Sequence, residues 1–180
     1  MVELGCAPGG WLQVLAARVG ASGSVLGVDA VAVDPVASQV QLLELDFSEV
    51  EGPDQIAAAL ACPADALLSD AAPKLTGIRD IDRAAEEEIY EAVWRVAERI
   101  LRPAGALVVK GFPGSEADAF RERLRSRFPQ VAEVRPEAKR STSKEHYWVA
   151  RAPADSASRR PDRRRRKRPR TRTRTQSGSE

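Results

Sequence analysis

The chain has 180 residues, 43% of them hydrophobic and 30% charged, enough for one domain with a real core. The absence of any apolar run near the ~18 residues of a membrane span, and of a basic-then-apolar leader, points to a cytoplasmic protein without membrane contact. Two cysteines without CxxC spacing, Cys6 and Cys62, and a single histidine, His146, exclude a structural zinc site, a disulfide framework and chemistry that needs paired imidazoles. The net charge of +2 averages two unlike parts: residues 1–158 carry 17 bases against 24 acids, and residues 159–174 carry 11 bases against the single acid Asp162.

A short apolar stub ends in Glu3-Leu4 and breaks into Gly5-Cys6-Ala7-Pro8-Gly9-Gly10-Trp11. Glycines at these places let the backbone turn tightly and approach a ligand, and the helix expected over 10–19 turns its free N–H groups toward it. The spacing is not G-x-G-x-x-G, and Pro8 lacks a donor that a pyrophosphate cradle would use, so an adenosyl cofactor without phosphates fits better than a dinucleotide. A strand follows over 24–29 and ends in Asp29, about 20 residues past the glycines, where an acid takes ribose hydroxyls.

Residues 40–46 read as a strand ending in Asp46, 54–61 as a short alanine-rich helix, and 65–70 as a buried strand ending in Asp70. The strongest helical pattern runs from 80 to 101, with Ile89, Val93, Val96, Ala97 and Ile100 on one face and Glu91/Arg95 as an i,i+4 pair outside it. Pro103 and Gly105 stop it. A strand over 106–110 ends in Lys110, a helix is expected from 116 to 128, and two β-rich segments, 131–135 and 145–151, close the domain. Trp94 and Trp148 read as packing residues, and His146 as an ordinary strand residue.

Strand-helix alternation that finishes in two strands predicts an α/β fold: a doubly wound, mostly parallel, Rossmann-like sheet with a final antiparallel strand. In such sheets ligands sit outside the carboxyl ends of the parallel strands. Gly9, Asp29, Asp46, Asp70 and Lys110 all fall at or just past such ends, and Glu145 opens the antiparallel strand at the same edge. Trp11, one residue into the first helix, is expected to cover the cofactor side.

Gly5-Cys-Ala-Pro-Gly-Gly-Trp11, Ser69-Asp70-Ala-Ala-Pro73, Val109-Lys110-Gly-Phe112 and Ser143-Lys144-Glu145-His-Tyr147 resemble, in order and spacing, the FtsJ-like ribosomal RNA large subunit ribose 2′-O-methyltransferases. The resemblance covers residues 1 to about 151. It implies a methyltransferase domain over 1–153, S-adenosyl-L-methionine as donor, and a ribose 2′-hydroxyl as acceptor, in the bacterial branch a uridine of 23S rRNA in the large ribosomal subunit. Gly5, Gly9, Trp11, Asp29, Asp46 and Asp70 then bind the cofactor, and Lys110 is catalytic with Asp70 and Glu145 beside it. The chemistry agrees: a ribose hydroxyl is a poor nucleophile, and an amine that is neutral part of the time can take its proton as it attacks.

The family has a Lys-Asp-Lys-Glu tetrad whose first lysine lies on a helix upstream of the glycine loop, and these 180 residues hold no counterpart. One expectation is a true protein with a further N-terminal helix of a few tens of residues. The other is a genuine chain that works more slowly and binds RNA less well. Lys139, Arg140 and Lys144 precede Glu145 and are candidates for rRNA phosphate contacts. Residues 154–180 have almost no apolar side chain with which to pack and are expected to be a disordered basic tail, in which Arg163, Arg164, Arg165 and Arg166 grip RNA without regard to sequence. Neither a metal nor an obligate protein partner is expected, and the chain is read as a monomer. A second class of reading, a non-catalytic RNA-binding or ribosome-assembly factor on the same fold, remains open at this point, and a small-molecule methyltransferase is poorly served by the arginine tail.

Overall fold

The computed structural model describes residues 1–136 and 146–152. The elements in chain order are β1 (Val2–Leu4), α1 (Gly10–Val19), β2 (Val25–Asp29), β3 (Val40–Glu44), α2 (Gly52–Ala59), β4 (Ala64–Ser69), α3 (Arg79–Ile100), β5 (Leu101–Gly111), α4 (Ser115–Arg127), β6 (Gln130–Val134) and β7 (His146–Arg151). Glu145, Lys139, Arg140, Lys144 and the arginines Arg163, Arg164, Arg165 and Arg166 lie outside the described residues.

The strands form one seven-stranded sheet in the order β3-β2-β1-β4-β5-β7-β6. Strands β1 to β5 run parallel, and β7 runs antiparallel to both β5 and β6. This is the expected doubly wound, Rossmann-like α/β sheet with an inserted antiparallel strand. Winding goes outward from β1 through β2 to β3, then reverses to β4 and β5. Because the order reverses between β1 and β4, the loops above these two strands part and leave a crevice at their carboxyl ends.

One face of the sheet carries the main core. Val2, Leu4, Leu67, Leu107 and Val109 meet Tyr90, Val93 and Trp94 of α3 and Phe120 and Leu124 of α4, all buried. Tyr90 stacks on Phe120 at 4.6 Å, and its hydroxyl accepts a hydrogen bond from the Phe112 N–H at 3.0 Å. Burial pushes the Tyr90 phenol well above its ordinary value. The opposite face is served by α1, whose Leu12 and Leu15 pack with Cys6 and Val25. Trp94 and Trp148 are core residues, as read from the sequence.

Two local readings change. The strand after α3 does not wait for Ala106 but begins at Leu101, with Pro103 and Gly105 inside it and a register shift against β4 between Ala64 and Ala66. A bulge accommodates the missing proline donor there. Glu91 and Arg95 do not pair along α3: Glu91 binds Arg123 of α4, and Arg95 Nη2 donates to the Ser48 carbonyl at 2.7 Å. Partners on neighbouring elements displace an i,i+4 contact worth only about 0.3–0.5 kcal/mol. Among the described residues no helix is long and apolar enough to cross a membrane.

Candidate functional site

The loop between β1 and α1 is folded back onto β2. The N–H groups of Gly5 and Cys6 donate to the Val28 carbonyl at 2.9 and 3.3 Å, and the Ala7 N–H donates to Asp29 Oδ2 at 2.8 Å. The other oxygen of Asp29 accepts from the Val31 N–H at 3.0 Å, so one carboxylate ties the loop above β1 to the loop above β2. Gly5 has φ +73°, and a Cβ there would come within 2.8 Å of the Ala71 Cα. Only glycine lets the loop above β1 touch the loop above β4. Gly9 caps α1 in the left-handed region, with φ +106°.

Between these loops lies a cleft of about 400 Å³, walled by Gly5, Ala7, Asp29, Asp46, Asp70 and Ile89 among others. Asp46 Oδ1 accepts from the Ser48 hydroxyl at 2.6 Å and the Ser48 N–H at 2.9 Å. The hydroxyl bond first, then the amide bond, hold its carboxyl below the usual carboxylate range. Of the candidates read from the sequence, Gly5, Asp29, Asp46 and Asp70 thus come together on one wall. Gly9 shapes the turn behind it, and Trp11 lies to one side, its ring 5.4 Å from that of Tyr147.

At the other end of the cleft, Asp70 meets Lys110. Lys110 Nζ lies 2.9 Å from Asp70 Oδ1 and donates to the Asp70 carbonyl at 3.2 Å, with the lysine side chain only 11% exposed. The Tyr147 hydroxyl donates to the same Oδ1 at 2.6 Å. Tyr147 stands directly across from Lys110 in the β5–β7 ladder, so the two side chains leave the sheet on the same face. Tyr147 lies within the Ser143–Tyr147 motif, where nothing local marks it for a task. Its position opposite Lys110, obtainable from strand alternation once β5 and β7 are paired, was the available signal. Ser48, which holds Asp46, was missed likewise.

The cleft's donor set discriminates between cofactors. Among the described residues its charged side chains, Asp29, Asp46 and Asp70, are all acids, with no lysine or arginine in the lining. Such a wall repels a pyrophosphate and suits an adenosyl group that bears a cation, with carboxylates for hydroxyl donors and Ile89 and Phe47 for an apolar ring.

The comparisons with known proteins agree with this chemistry. The family model for FtsJ-like methyltransferases matches residues 1–152. Proteins named ribosomal RNA large subunit methyltransferase E are 41% identical in Methanothrix thermoacetophila and 42% identical in Halorhodospira halophila, over 84% and 85% of this chain. The chain spans 58% of the length of the first and 72% of the second. Among solved structures, a ribosomal RNA methyltransferase from Plasmodium falciparum superposes with a TM-score of 0.72 at 23% identity, covering 84% of each chain. Human methyltransferase-like protein 13, in complex with SAH, superposes at 0.55 with 12% identity, over 86% of this chain and 72% of its own. These two likenesses describe the fold. Sequence, sheet order and an acid-walled cleft at the switch point converge: the chain belongs to the FtsJ-like methyltransferase family, and its cofactor is S-adenosyl-L-methionine.

Proposed function

We propose that this chain methylates a ribose 2′-hydroxyl of RNA, a uridine of 23S rRNA in the large ribosomal subunit, with Lys110 as general base. The carrying observation is the mostly buried Lys110 amine held 2.9 Å from Asp70 Oδ1 beside the cleft. S-adenosyl-L-methionine, when bound, supplies an activated methyl group on a sulfonium. Asp29 and Asp46 hold its adenosyl part, and Asp70 fixes Lys110 through both its carboxylate and its carbonyl. Lys110 Nζ takes the proton of the attacking hydroxyl, which needs that proton removed as it attacks. The Tyr147 hydroxyl, donating to Asp70 Oδ1, keeps the carboxylate turned toward the lysine. Glu145 adds a second carboxylate by the family resemblance. The names of the relatives support rRNA as the acceptor, and the basic residues Lys139, Arg140, Lys144 and the arginine tail supply phosphate contacts.

The experiment is methyl transfer from labelled S-adenosyl-L-methionine to undermethylated large ribosomal subunits, comparing the chain with Lys110→Ala and mapping the label to base or ribose. Label on one ribose 2′-oxygen that disappears in the variant is the expected result. Cofactor binding without transfer to any RNA would overturn it in favour of a non-catalytic RNA-binding or assembly factor on the same fold.

A further inference from the structure

Glu3 has no task in the methyl transfer described above. It lies at the middle of β1, between Gly27 of β2 and Leu68 of β4, is 2% exposed, and its Oε2 meets no hydrogen-bond donor among the described residues. Its neighbours Val2 and Leu4 point into the main core, so strand alternation turns Glu3 to the α1 face. There it is roofed by side chains that also crowd Gly27: a Cβ on Gly27 would fall 2.9 Å from Leu12 Cδ2 and 3.1 Å from Cys6 Sγ. A carboxyl enclosed this way, with an unpartnered oxygen, strongly favours its neutral form.

The groups that act on it are known element by element. Asp29 ends β2 and Asp70 follows β4, both lining the cofactor cleft, and both oppose the ionisation of Glu3. The Cys6 thiol of the glycine loop is pushed up to about 12, by burial first and then by Glu3 and Asp29. Helix α1 offers Leu12 and has no charged residue before Arg18. The cation of β5, Lys110, is engaged with Asp70. Burial first, then Asp70 and Asp29, hold the Glu3 carboxyl up at about 8. An acid poised there, beneath two carboxylates that receive a cation, responds to the charge of whatever occupies the cleft.

We infer that Glu3 is a proton-linked specificity residue that favours the cationic methyl donor over its neutral thioether product. Glu3 carries a proton while the cleft is empty. It gives that proton to solvent when a sulfonium occupies the cleft beside Asp70, and takes one back from solvent when the thioether remains after transfer. The carboxylate strengthens binding of the donor and leaves that of the product, so the spent cofactor is released more readily. The inference rests on the cofactor assignment and not on the RNA acceptor.

The test is titration calorimetry of the full chain with S-adenosyl-L-methionine and with S-adenosyl-L-homocysteine, in paired buffers of different ionisation enthalpy, for the native chain and Glu3→Gln. The amino group common to both ligands titrates too, so the difference between native and variant carries the result. The native chain should release more protons with the donor than with the product, and its donor-to-product affinity ratio should rise roughly tenfold from about pH 6 to about pH 9, as for a one-unit shift. Glu3→Gln should lose both the excess release and the rise. An unchanged proton count in the variant, or equal release with both ligands, would overturn the inference. Absence of heat from both ligands would overturn the cofactor assignment, and this inference with it. Infrared difference spectra of the native protein make the same decision if the variant does not fold. The band of a protonated carboxyl should fall on adding the donor and persist with the product, and a band unmoved by the donor would refute the idea.

Discussion

Lys110 and Tyr147 face each other across β5 and β7 and converge on a single oxygen, Oδ1 of Asp70, at 2.9 and 2.6 Å. An antiparallel strand inserted at the end of a parallel sheet makes this possible. It starts at the edge where the parallel strands end, so a residue near the chain's far end reaches a strand-end carboxylate 77 positions earlier. Asp70 is therefore held from two sides, and the orientation of the amine follows from that of the acid. Asp70→Asn keeps the shape and removes the charge. Methyl transfer should fall about 10²- to 10³-fold in kcat with little change in the melting temperature. Because Asp70 and Lys110 act as one unit, Asp70→Asn combined with Lys110→Ala should be scarcely slower than Lys110→Ala alone. Losses that multiply in single-turnover assays would show that the two act separately.

Tyr147→Phe removes the hydrogen bond to Asp70 Oδ1 and leaves the ring packed on Trp11. A charge-assisted bond of this kind is worth about 1.5–3 kcal/mol, so a fall in kcat of roughly 10- to 100-fold is expected with KM unchanged. An unchanged kcat in the variant would make Tyr147 a packing residue only.

The legible part of this site is what strand order alone determines. Asp29, Asp70 and Lys110 could be brought to one edge from the sequence because each ends an apolar run and parallel strands end together. Tyr147 and Lys110 meet only because β7 pairs with β5 in one register, which no local pattern carries. Ser48 was hidden for a similar reason: its hold on Asp46 depends on the turn after β3 and not on composition. Nothing local marks Glu3, between Val2 and Leu4, as a buried acid. Its burial depends on β2 and β4 on either side, both remote in sequence, and on how the adjoining glycine loop folds. The Glu91–Arg95 pair erred because intrahelical spacing says nothing of the stronger partner that α4 brings to Glu91.

Gly5→Ala tests the contact between the two loops. The residue would keep a left-handed backbone and press a Cβ to within 2.8 Å of the Ala71 backbone. Left-handed strain and the backbone shift together should cost roughly 3 kcal/mol, seen as a fall in melting temperature of about 10 °C. Cofactor affinity should weaken in parallel, since Ala71 and Gly5 line the same cleft. Gly20→Ala is the control, because Gly20 shares the positive φ and has open space around it. If both variants lose stability equally but neither loses affinity, the loop contact does not shape the cleft.

Removal of residues 154–180 should leave cofactor affinity unchanged and weaken RNA binding most at low salt. Each phosphate contact contributes a slope of about −0.7 to −0.9 in log affinity against log salt. Filter binding to an rRNA fragment over a salt series should therefore give a slope shallower by several units in the truncated chain. Parallel lines for the two chains would assign no phosphate contacts to the tail.

The same carboxyl that answers the cofactor should also make the fold pH-sensitive in a direction unusual for an acid. Glu3 has its folded value raised, from 4.5 to about 8, so between these limits the folded chain binds more protons than the unfolded one. Stability attached to Glu3 is therefore complete below pH 4.5 and is lost as pH rises through about 8. A surface carboxylate in an ion pair has the opposite slope. The full loss amounts to roughly 3–5 kcal/mol, large enough to dominate over exposed pairs worth less than about 1 kcal/mol each. Glu3→Gln keeps the shape and cannot ionise. Chemical denaturation of both chains across that range should show the native chain losing stability relative to the variant, with the gap widest above about pH 8. A constant gap would mean that Glu3 stays in one charge state throughout, and that its buried oxygen is satisfied by some other means.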